Sequence, residues 1–313
     1  MNSTPSSETQ YLNNENHTYP NITKPSWVEA MCMFYTVANV TIFILGIAGN
    51  GLVIWIAGFR VKKSVVSTWY LSLAVSDFIC CCTLPLGVLH KFKNECVFGL
   101  FVCKFRYFIK FINMYSSILT LVIISVDRCV VVMFPVWAQN QRTVRKASVI
   151  VMLAWIISAV LNAPLVIFRD TQNKPTMLCI EDYINDGKRM AIVTGRFVIG
   201  FVIPFLVITV CYVLIMQKLK FNWGISKKPF KIMTAVIAAF LICWLPYHTF
   251  SLLELKYKRS NHFVNLGKVF GVTLANANSF VNPFLYAFMG KDFKKQCYVL
   301  LAKIENTFEE EDQ

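Results

Sequence analysis

Long apolar stretches recur along the chain, and polar loops separate them. Five contain no Asp, Glu, Lys or Arg: Ala30 to Phe59, Ala147 to Phe168, Phe197 to Gln217, Ile232 to Leu253, and Val269 to Met289. Two more are Ser64 to His90, interrupted only by Asp77, and Phe111 to Val126, which extends a helix predicted to begin near Phe101. A bilayer core about 30 Å thick needs roughly 20 apolar residues per helix. The pattern therefore predicts seven membrane spans.

The spans are predicted to be helices, because backbone groups in lipid must find their hydrogen bonds within the segment. The composition agrees, with 56% hydrophobic and 15% charged residues, where a soluble domain carries about 25% charged residues. The expected fold is an all-α membrane protein, a seven-transmembrane helix bundle followed by a short amphipathic eighth helix.

Polar and basic segments orient the spans. Residues 1–29 are polar and carry glycosylation sequons at Asn2, Asn16 and Asn21, so we expect an extracellular, glycosylated tail without a cleavable signal peptide. The three loops expected inside are rich in Lys and Arg, as the positive-inside rule requires. Residues 30–290 form the bundle, and 291–313 form a cytoplasmic eighth helix and a short acidic tail, where Cys297 is a candidate for palmitoylation. The predicted location is the plasma membrane.

Two cysteines are expected to face an oxidising compartment. Cys103 lies at the outer end of the third span, and Cys179 lies in the long second outer loop. We expect them to form a disulfide. Cys96 is also outside and has no evident partner, whereas most other cysteines lie within spans as small buried hydrophobic residues.

One carboxylate lies in the middle of a span. Asp77 requires polar neighbours, because charges inside a membrane are costly and usually functional. Polar residues on other spans are available: Asn50, Asn113, Ser117, Asn278, Ser279 and Asn282. An oxygen-rich site of this kind suits a small hard cation, so Asp77 is the candidate metal ligand and sodium the candidate ion. The alternative is a hydrogen-bonded network that packs helices.

Short motifs stand in order on successive spans. They are Gly49-Asn50, Leu73 to Asp77, Asp127-Arg128-Cys129, Trp155, Pro204 with Tyr212, Cys243 to His248, and Asn282 to Tyr286. Over roughly residues 30–300 the chain closely resembles the rhodopsin-like (class A) G-protein-coupled receptors. The segments Phe134 to Thr143, Phe168 to Thr171, Arg196 to Phe201, Lys228 to Lys231 and Pro246 to Glu254 resemble the chemoattractant receptors for formyl peptides, anaphylatoxins, chemerin and D-series prostaglandin.

The resemblance implies a cell-surface receptor for an anionic peptide or lipid. Lys110 stands where amine receptors of this class carry an Asp. Arg196 matches the basic ligand anchor of the formyl-peptide and prostaglandin chemoattractant receptors. Two cations at the rim of an apolar cavity suit a carboxylate. The further candidate ligand-binding residues are Tyr107, Phe111, Tyr247 and Arg169. The alternative is that Lys110 and Arg196 extend to the membrane interface.

The resemblance also implies a switch that activates a heterotrimeric G protein, expected to be of the inhibitory class. Ligand binding would act on Trp244 and on the kink at Pro246, and Arg128 would leave Asp127. The switch residues implied are Asp127, Arg128, Tyr212, Phe240, Trp244, Pro246, Asn282, Pro283 and Tyr286.

Other functions are disfavoured. An enzyme is not expected, because the chain has no His-Glu-x-x-His, Gly-x-Ser-x-Gly or Walker sequence. A channel or transporter would show acidic rings or broken midplane helices, which are not seen. A chemoattractant-like receptor that binds ligand without signalling remains an alternative. Apart from an allosteric sodium ion, no cofactor is expected.

Overall fold

The computed structural model describes residues 26–93, 98–167, 169–173, 177–181, 186–221, 228–257 and 261–287. Its helices are α1 (Ser26–Trp55), α2 (Val65–Cys82), α3 (Leu84–Lys93), α4 (Gly99–Met133), α5 (Pro135–Gln141), α6 (Val144–Ile167), α7 (Asp186–Phe197), α8 (Ile203–Phe221), α9 (Lys228–Lys256) and α10 (His262–Ala287). Two π-helical stretches, Ile56–Arg60 and Val198–Val202, extend α1 and join α7 to α8.

Six helical segments within these ranges are long and apolar enough to cross a membrane. They are Ser26–Arg60, Val65–Lys91, Gly99–Met133, Val144–Pro164, Asp186–Lys218 and Ile237–Lys256. The seventh span is α10, which packs against α1, α2 and α9. The predicted seven-helix bundle is therefore confirmed. Span two comprises α2 and α3, span three is α4, span four is α6, span five comprises α7 and α8, and span six is α9.

Contacts between neighbouring helices hold the bundle together. The first helix contacts α2 and α10, while α4 contacts α2, α6 and α8, so span three is central. Side-chain hydrogen bonds connect the spans: Trp155 donates to Ser72 Oγ at 3.1 Å, and Asn162 donates to the carbonyl of Phe108 at 2.7 Å. Such interhelical bonds between polar groups stabilise helix association in lipid.

The second outer loop contains a feature that the sequence did not predict. Strands β1 (Arg169–Asn173) and β2 (Met177–Glu181) form an antiparallel hairpin that contacts α4. Thr171 lies opposite Cys179 in the register. The pairing satisfies backbone N–H and C=O groups of the loop.

The backbones of spans six and seven lie close together beside a proline. Pro246 lies inside α9, where its ring and missing N–H disturb the helix. A side chain added at Gly271 of α10 would place its Cβ 2.8 Å from the backbone nitrogen of Tyr247. Only glycine allows α10 to pass this close to the backbone of α9 beside Pro246.

Candidate functional site

Arg196 occupies a buried position between three spans. It lies in the last turn of α7, immediately before the π-helical stretch, and only 5% of it is exposed. Its Nη1 donates to the hydroxyl of Tyr247 at 2.7 Å, and its guanidinium carbon lies 4.4 Å from the centre of the Phe111 ring. The positive charge therefore lies inside the bundle, against an aromatic face and a phenol hydroxyl.

Lys110 approaches the same tyrosine from span three. Its Nζ lies 5.6 Å from the centre of the Tyr247 ring. The structure thus brings together four of the six predicted ligand-binding residues around Tyr247: Lys110, Phe111, Arg196 and Tyr247 itself. Tyr107 faces a neighbouring space, where the guanidinium of Arg106 lies 4.8 Å over its ring. Arg169 is in β1, and its side chain is outside the described part.

Aromatic rings continue from this cluster towards the switch. Trp244 is 1% exposed, and its ring meets that of Tyr247 edge to face at 6.0 Å. Phe240, one turn further in, stacks on Phe201 of span five at 5.7 Å. A displacement of Tyr247 would therefore be transmitted to Trp244 by direct contact, because buried rings are close-packed.

His248 was not among the predicted site residues. Its ring is buried between Phe197 and Phe201 of span five and Tyr247, with centroid distances of 5.7, 5.4 and 5.3 Å. Its Nε2 has no hydrogen-bond partner among the described residues. The sequence suggested its place only through its position next to Tyr247.

A polar cluster surrounds Asp77 below these rings. The carboxylate is fully buried, and its two oxygens accept hydrogen bonds from Asn113 Nδ2 and Asn282 Nδ2, both at 2.7 Å. Ser279 Oγ lies 3.3 Å from Asn113 Oδ1, and Ser117 Oγ lies 3.4 Å from Asn113 Nδ2. Spans two, three and seven therefore meet at one carboxylate.

Asn50 and Asn278, two of the polar residues predicted to surround Asp77, lie at the edge of this cluster. Asn50 donates to the carbonyl of Ser279 at 2.7 Å and so ties span one to span seven. Asn278 is buried, and its Nδ2 has no hydrogen-bond partner in the part of the chain that the structure describes. The amide donors to the Asp77 carboxylate are therefore Asn113 and Asn282, and Asn278 does not donate to it.

The inner end of span three carries Arg128, the arginine of the predicted switch. The Nε of Arg128 lies 3.9 Å from Asp127 Oδ2. The same carboxylate also accepts two bonds from Arg142, in the loop that follows α5, and the sequence did not indicate that partner. Tyr212 of span five accepts a hydrogen bond from Thr234 of span six at 3.5 Å.

Other predicted residues are described only in part. Cys103 is bonded in a disulfide, but the side chain of Cys179 lies outside what the structure describes, so their pairing stays a prediction. The side chain of Tyr286 is likewise outside. Pro283 lies inside α10. Several predicted positions fall entirely outside the described residues: Asn2, Asn16, Asn21, Cys96, Cys297 and the eighth helix.

The sequence motifs thus lie on the helices of one seven-helix bundle. Residues 49–286 match the family described as 7 transmembrane receptor (rhodopsin family). The chain belongs to this family. A G-protein-coupled receptor binds its ligand from one side of the membrane and a heterotrimeric G protein from the other, so this chain is a receptor and not an enzyme.

Curated relatives agree with the finer resemblance. The chain is 39% identical over 301 residues to "Chemerin-like receptor 1" of Homo sapiens, an alignment that covers 89% of this chain and 81% of the relative. It is 38% identical over 280 residues to "C3a anaphylatoxin chemotactic receptor" of Oncorhynchus mykiss, covering 86% and 77%. It is 37% identical over 301 residues to "Formyl peptide receptor 2" of Mus musculus, covering 88% and 83%.

The receptor is therefore a class A receptor of the chemoattractant group, a multi-pass protein of the plasma membrane. In this setting Arg196, Lys110 and Tyr247 form the outer cluster, Asp77 the central one, and Asp127 with Arg128 the inner one. Sequence motifs had predicted residues in each of these three clusters. The sequence did not indicate the pairing of Arg142 with Asp127, because that contact depends on how the loop after α5 folds back onto span three.

Proposed function

We propose that this receptor binds an agonist with a carboxylate or another anionic group, either a peptide or an acidic lipid, and that Arg196 and Tyr247 hold that group. The observation that carries the proposal is the position of the Arg196 guanidinium, buried and in contact with Tyr247 and Phe111. A buried guanidinium gains most from a charged, bidentate partner. The names of the relatives, which include a formyl peptide receptor, support a peptide agonist.

Lys110 is the second cation of the site. Lys110 lies over the ring of Tyr247, and Arg196 donates a hydrogen bond to the hydroxyl of the same residue. An anion bound at Tyr247 would therefore interact with both positive charges. The ligand would enter from outside, since residues 1–29 are proposed to be an extracellular, glycosylated tail. The bound ligand would displace Tyr247, and Tyr247 would in turn displace Trp244 and the part of span six around Pro246. These displacements would shift the bundle towards its active conformation.

The intracellular partner is proposed to be a G protein of the inhibitory class. The basic inner loops, which carry Lys and Arg without an intervening acid, and the short third loop support this assignment by analogy with the family. A receptor that binds ligand without signalling is the second candidate. It would show the same ligand dependence and no agonist-dependent nucleotide exchange.

Asp77 is proposed to hold a sodium ion in the inactive bundle. The site offers the oxygen ligands that hard cations prefer, from the carboxylate and from the hydroxyls of Ser117 and Ser279. In this structure the amide nitrogens of Asn113 and Asn282 face the carboxylate, so a cation requires at least one amide to present its oxygen instead. Oxygen and nitrogen of an amide exchange by rotation of the side chain.

The test of the ligand site compares an agonist with its amide or methyl ester in membranes that contain the receptor and G protein. We expect the free acid to be at least about tenfold more potent, since breaking a buried charged pair costs about 2–5 kcal/mol. Arg196→Ala should remove this preference, Arg196→Lys should retain part of it, and Tyr247→Phe should weaken it. Lys104→Ala, on the outer part of α4, is the control. Equal potency of acid and ester on the unmodified receptor would refute the proposal.

A further inference from the structure

Two thiols meet at the inner end of the bundle, between spans three and five. Cys129 directly follows Arg128 on α4, and Cys211 directly precedes Tyr212 on α8. Both cysteines are free, and their thiols form a hydrogen bond with each other. Each sulfur is therefore one residue away from a member of the predicted switch, and the two sulfurs join two different spans.

The packing of the two spans accounts for this contact. The helices α4 and α8 lie against each other, and further out a Cβ added at Gly200 of span five would lie 3.3 Å from the Tyr115 ring of span three. Cys211 lies 11 residues beyond Gly200, and Cys129 lies 14 residues beyond Tyr115, which is about 17 and 21 Å along a helix. Both helices run inward, so the two cysteines reach a similar depth on neighbouring helices.

The two thiols differ in their exposure. Cys211 belongs to the buried face of α8, between Ile208 and Ile215, and only 7% of it is exposed. Cys129 is partly exposed, so a small oxidant can reach it first. An accessible thiol in contact with a buried one is the arrangement of an attacking cysteine and its resolving partner.

We propose that Cys129 and Cys211 are a modification site, at which hydrogen peroxide produces a reversible disulfide that ties span three to span five. The thiolate of Cys129 attacks one oxygen of the peroxide, the O–O bond breaks, and a sulfenic acid and water form. The thiol of Cys211 then attacks the sulfenic sulfur, and the hydroxyl group leaves as a second water. Two thiols thus lose two electrons and their two protons, and one peroxide is reduced to two waters. Glutathione reverses the bond by thiol–disulfide exchange.

The bond would act on the switch through its position. In the conformation in which the thiols meet, the Nε of Arg128 lies 3.9 Å from Asp127 Oδ2. A disulfide holds the two Cα atoms within about 7 Å of each other, so the inner ends of spans three and five cannot separate. The oxidised receptor therefore favours this conformation and activates its G protein less.

This inference goes beyond the agonist site and does not rest on it. The disulfide is detected in peptides of the receptor, and neither an agonist nor a G protein is needed to form it. A receptor that catalyses no nucleotide exchange in any form would contradict the proposed function, and the peptides would still decide on the disulfide.

The experiment treats the full receptor in phosphatidylcholine nanodiscs with hydrogen peroxide, blocks the remaining thiols with N-ethylmaleimide, and maps the digested peptides by mass spectrometry. We expect a new linked pair of peptides that contains Cys129 and Cys211 and separates again after glutathione treatment. Cys243, a buried free cysteine of span six, is the internal control and should be recovered unlinked. Cys129 recovered as a sulfenic acid without a cross-link, linked to another cysteine, or unoxidised would overturn the proposal.

The unfolding temperature shows whether the bond holds the two spans together. After peroxide treatment the unmodified receptor should unfold at a higher temperature than Cys129→Ser treated in the same way, because a cross-link restricts the unfolded chain. Oxidation of methionines alone would change both receptors equally. A cross-linked receptor that unfolds at the temperature of Cys129→Ser would refute the tie between the spans.

Agonist-independent nucleotide exchange on a purified G protein of the inhibitory class measures the effect on the switch. We expect peroxide to lower the exchange rate at least about threefold in the unmodified receptor and in Cys243→Ser, and glutathione should restore it. Cys129→Ser and Cys211→Ser should not respond to peroxide. A cross-linked receptor with an undiminished exchange rate, or an equal response in these two variants, would refute the effect on the switch.

Discussion

Arg142 holds the carboxylate of Asp127 with two hydrogen bonds, from Nε at 2.7 Å and from Nη2 at 2.9 Å. Arg128, the neighbour of Asp127 on span three, stands further off, with its Nε 3.9 Å from the same carboxylate. A bidentate pair is the stronger of the two contacts. The inner loop thus competes with the switch arginine for one acidic group.

This competition predicts opposite effects of two substitutions on agonist-independent nucleotide exchange. Asp127→Asn removes the acceptor of both arginines and should raise basal exchange. Arg142→Ala leaves the carboxylate to Arg128 and should lower basal exchange, by roughly fivefold at most, because a partly exposed pair contributes about 1 kcal/mol. Arg145→Ala, an exposed cation at the start of α6, is the control. A rise in basal exchange with Arg142→Ala would contradict the interpretation.

Sodium should lower agonist affinity through Asp77. The proposed ion bridges spans two, three and seven in the inactive bundle, so agonist binding and sodium binding oppose one another and the effect is reciprocal. Radioligand displacement at increasing sodium chloride, with N-methylglucamine chloride at equal ionic strength as the control, should show a falling affinity. Asp77→Asn should abolish the difference between the two salts. A receptor indifferent to sodium would favour the packing network alone.

A charge cluster connects spans five, six and seven near their outer ends. Glu254 is buried, Lys268 of α10 pairs with it, and Arg189 of α7 lies 3.6 Å from the same oxygen. Glu254→Gln should lower the unfolding temperature of the purified receptor at low salt. The loss should shrink at high salt, since both cations are partly exposed and the pair is screened.

Glu29→Gln is the matched control, because Glu29 is an exposed acid in the first turn of α1. Two results would contradict a stabilising role of the cluster. One is a Glu254→Gln receptor with the unfolding temperature of the unmodified receptor at low salt, and the other is a decrease in unfolding temperature that does not depend on salt.

Gly271→Ala should separate spans six and seven at the kink. The new Cβ would lie 2.8 Å from backbone atoms of Tyr247, and backbone cannot give way as a side chain does. Forced overpacking of this kind costs about 1–3 kcal/mol. We expect a lower unfolding temperature together with weaker agonist binding, because Tyr247 holds Arg196. Gly195→Ala is the control and should be neutral in both assays, because a Cβ there would meet no atom within 4 Å. A neutral Gly271→Ala would contradict the prediction that the two spans are tightly packed at this point.

The disulfide of Cys103 should be required at the cell surface. If Cys179 is its partner, the hairpin of the second outer loop is tied to span three across the mouth of the bundle. Cys179→Ala should then abolish surface expression or agonist binding, as flow cytometry and radioligand binding would show. Cys82→Ala, a free cysteine at the end of α2, serves as the control. Normal binding by the Cys179→Ala receptor under non-reducing conditions would refute the pairing.

The sequence by itself determined the number of spans, because seven apolar stretches must each satisfy their backbone within one helix. It also placed Asp77 among amides and hydroxyls, since an ionisable residue in a membrane must find polar partners. Local patterns suffice for such properties, and family motifs added the switch residues and the two cations Lys110 and Arg196.

Only the tertiary structure decided which groups meet across the bundle. Asp127 pairs with Arg142 because the helix α5 returns the inner loop to span three, and Glu254 pairs with Lys268 because α9 and α10 run side by side. Arg106 lies against span two because Gly87 has no side chain and leaves room for its guanidinium. These contacts join residues from different helices, and no periodicity along the chain encodes the distance between them.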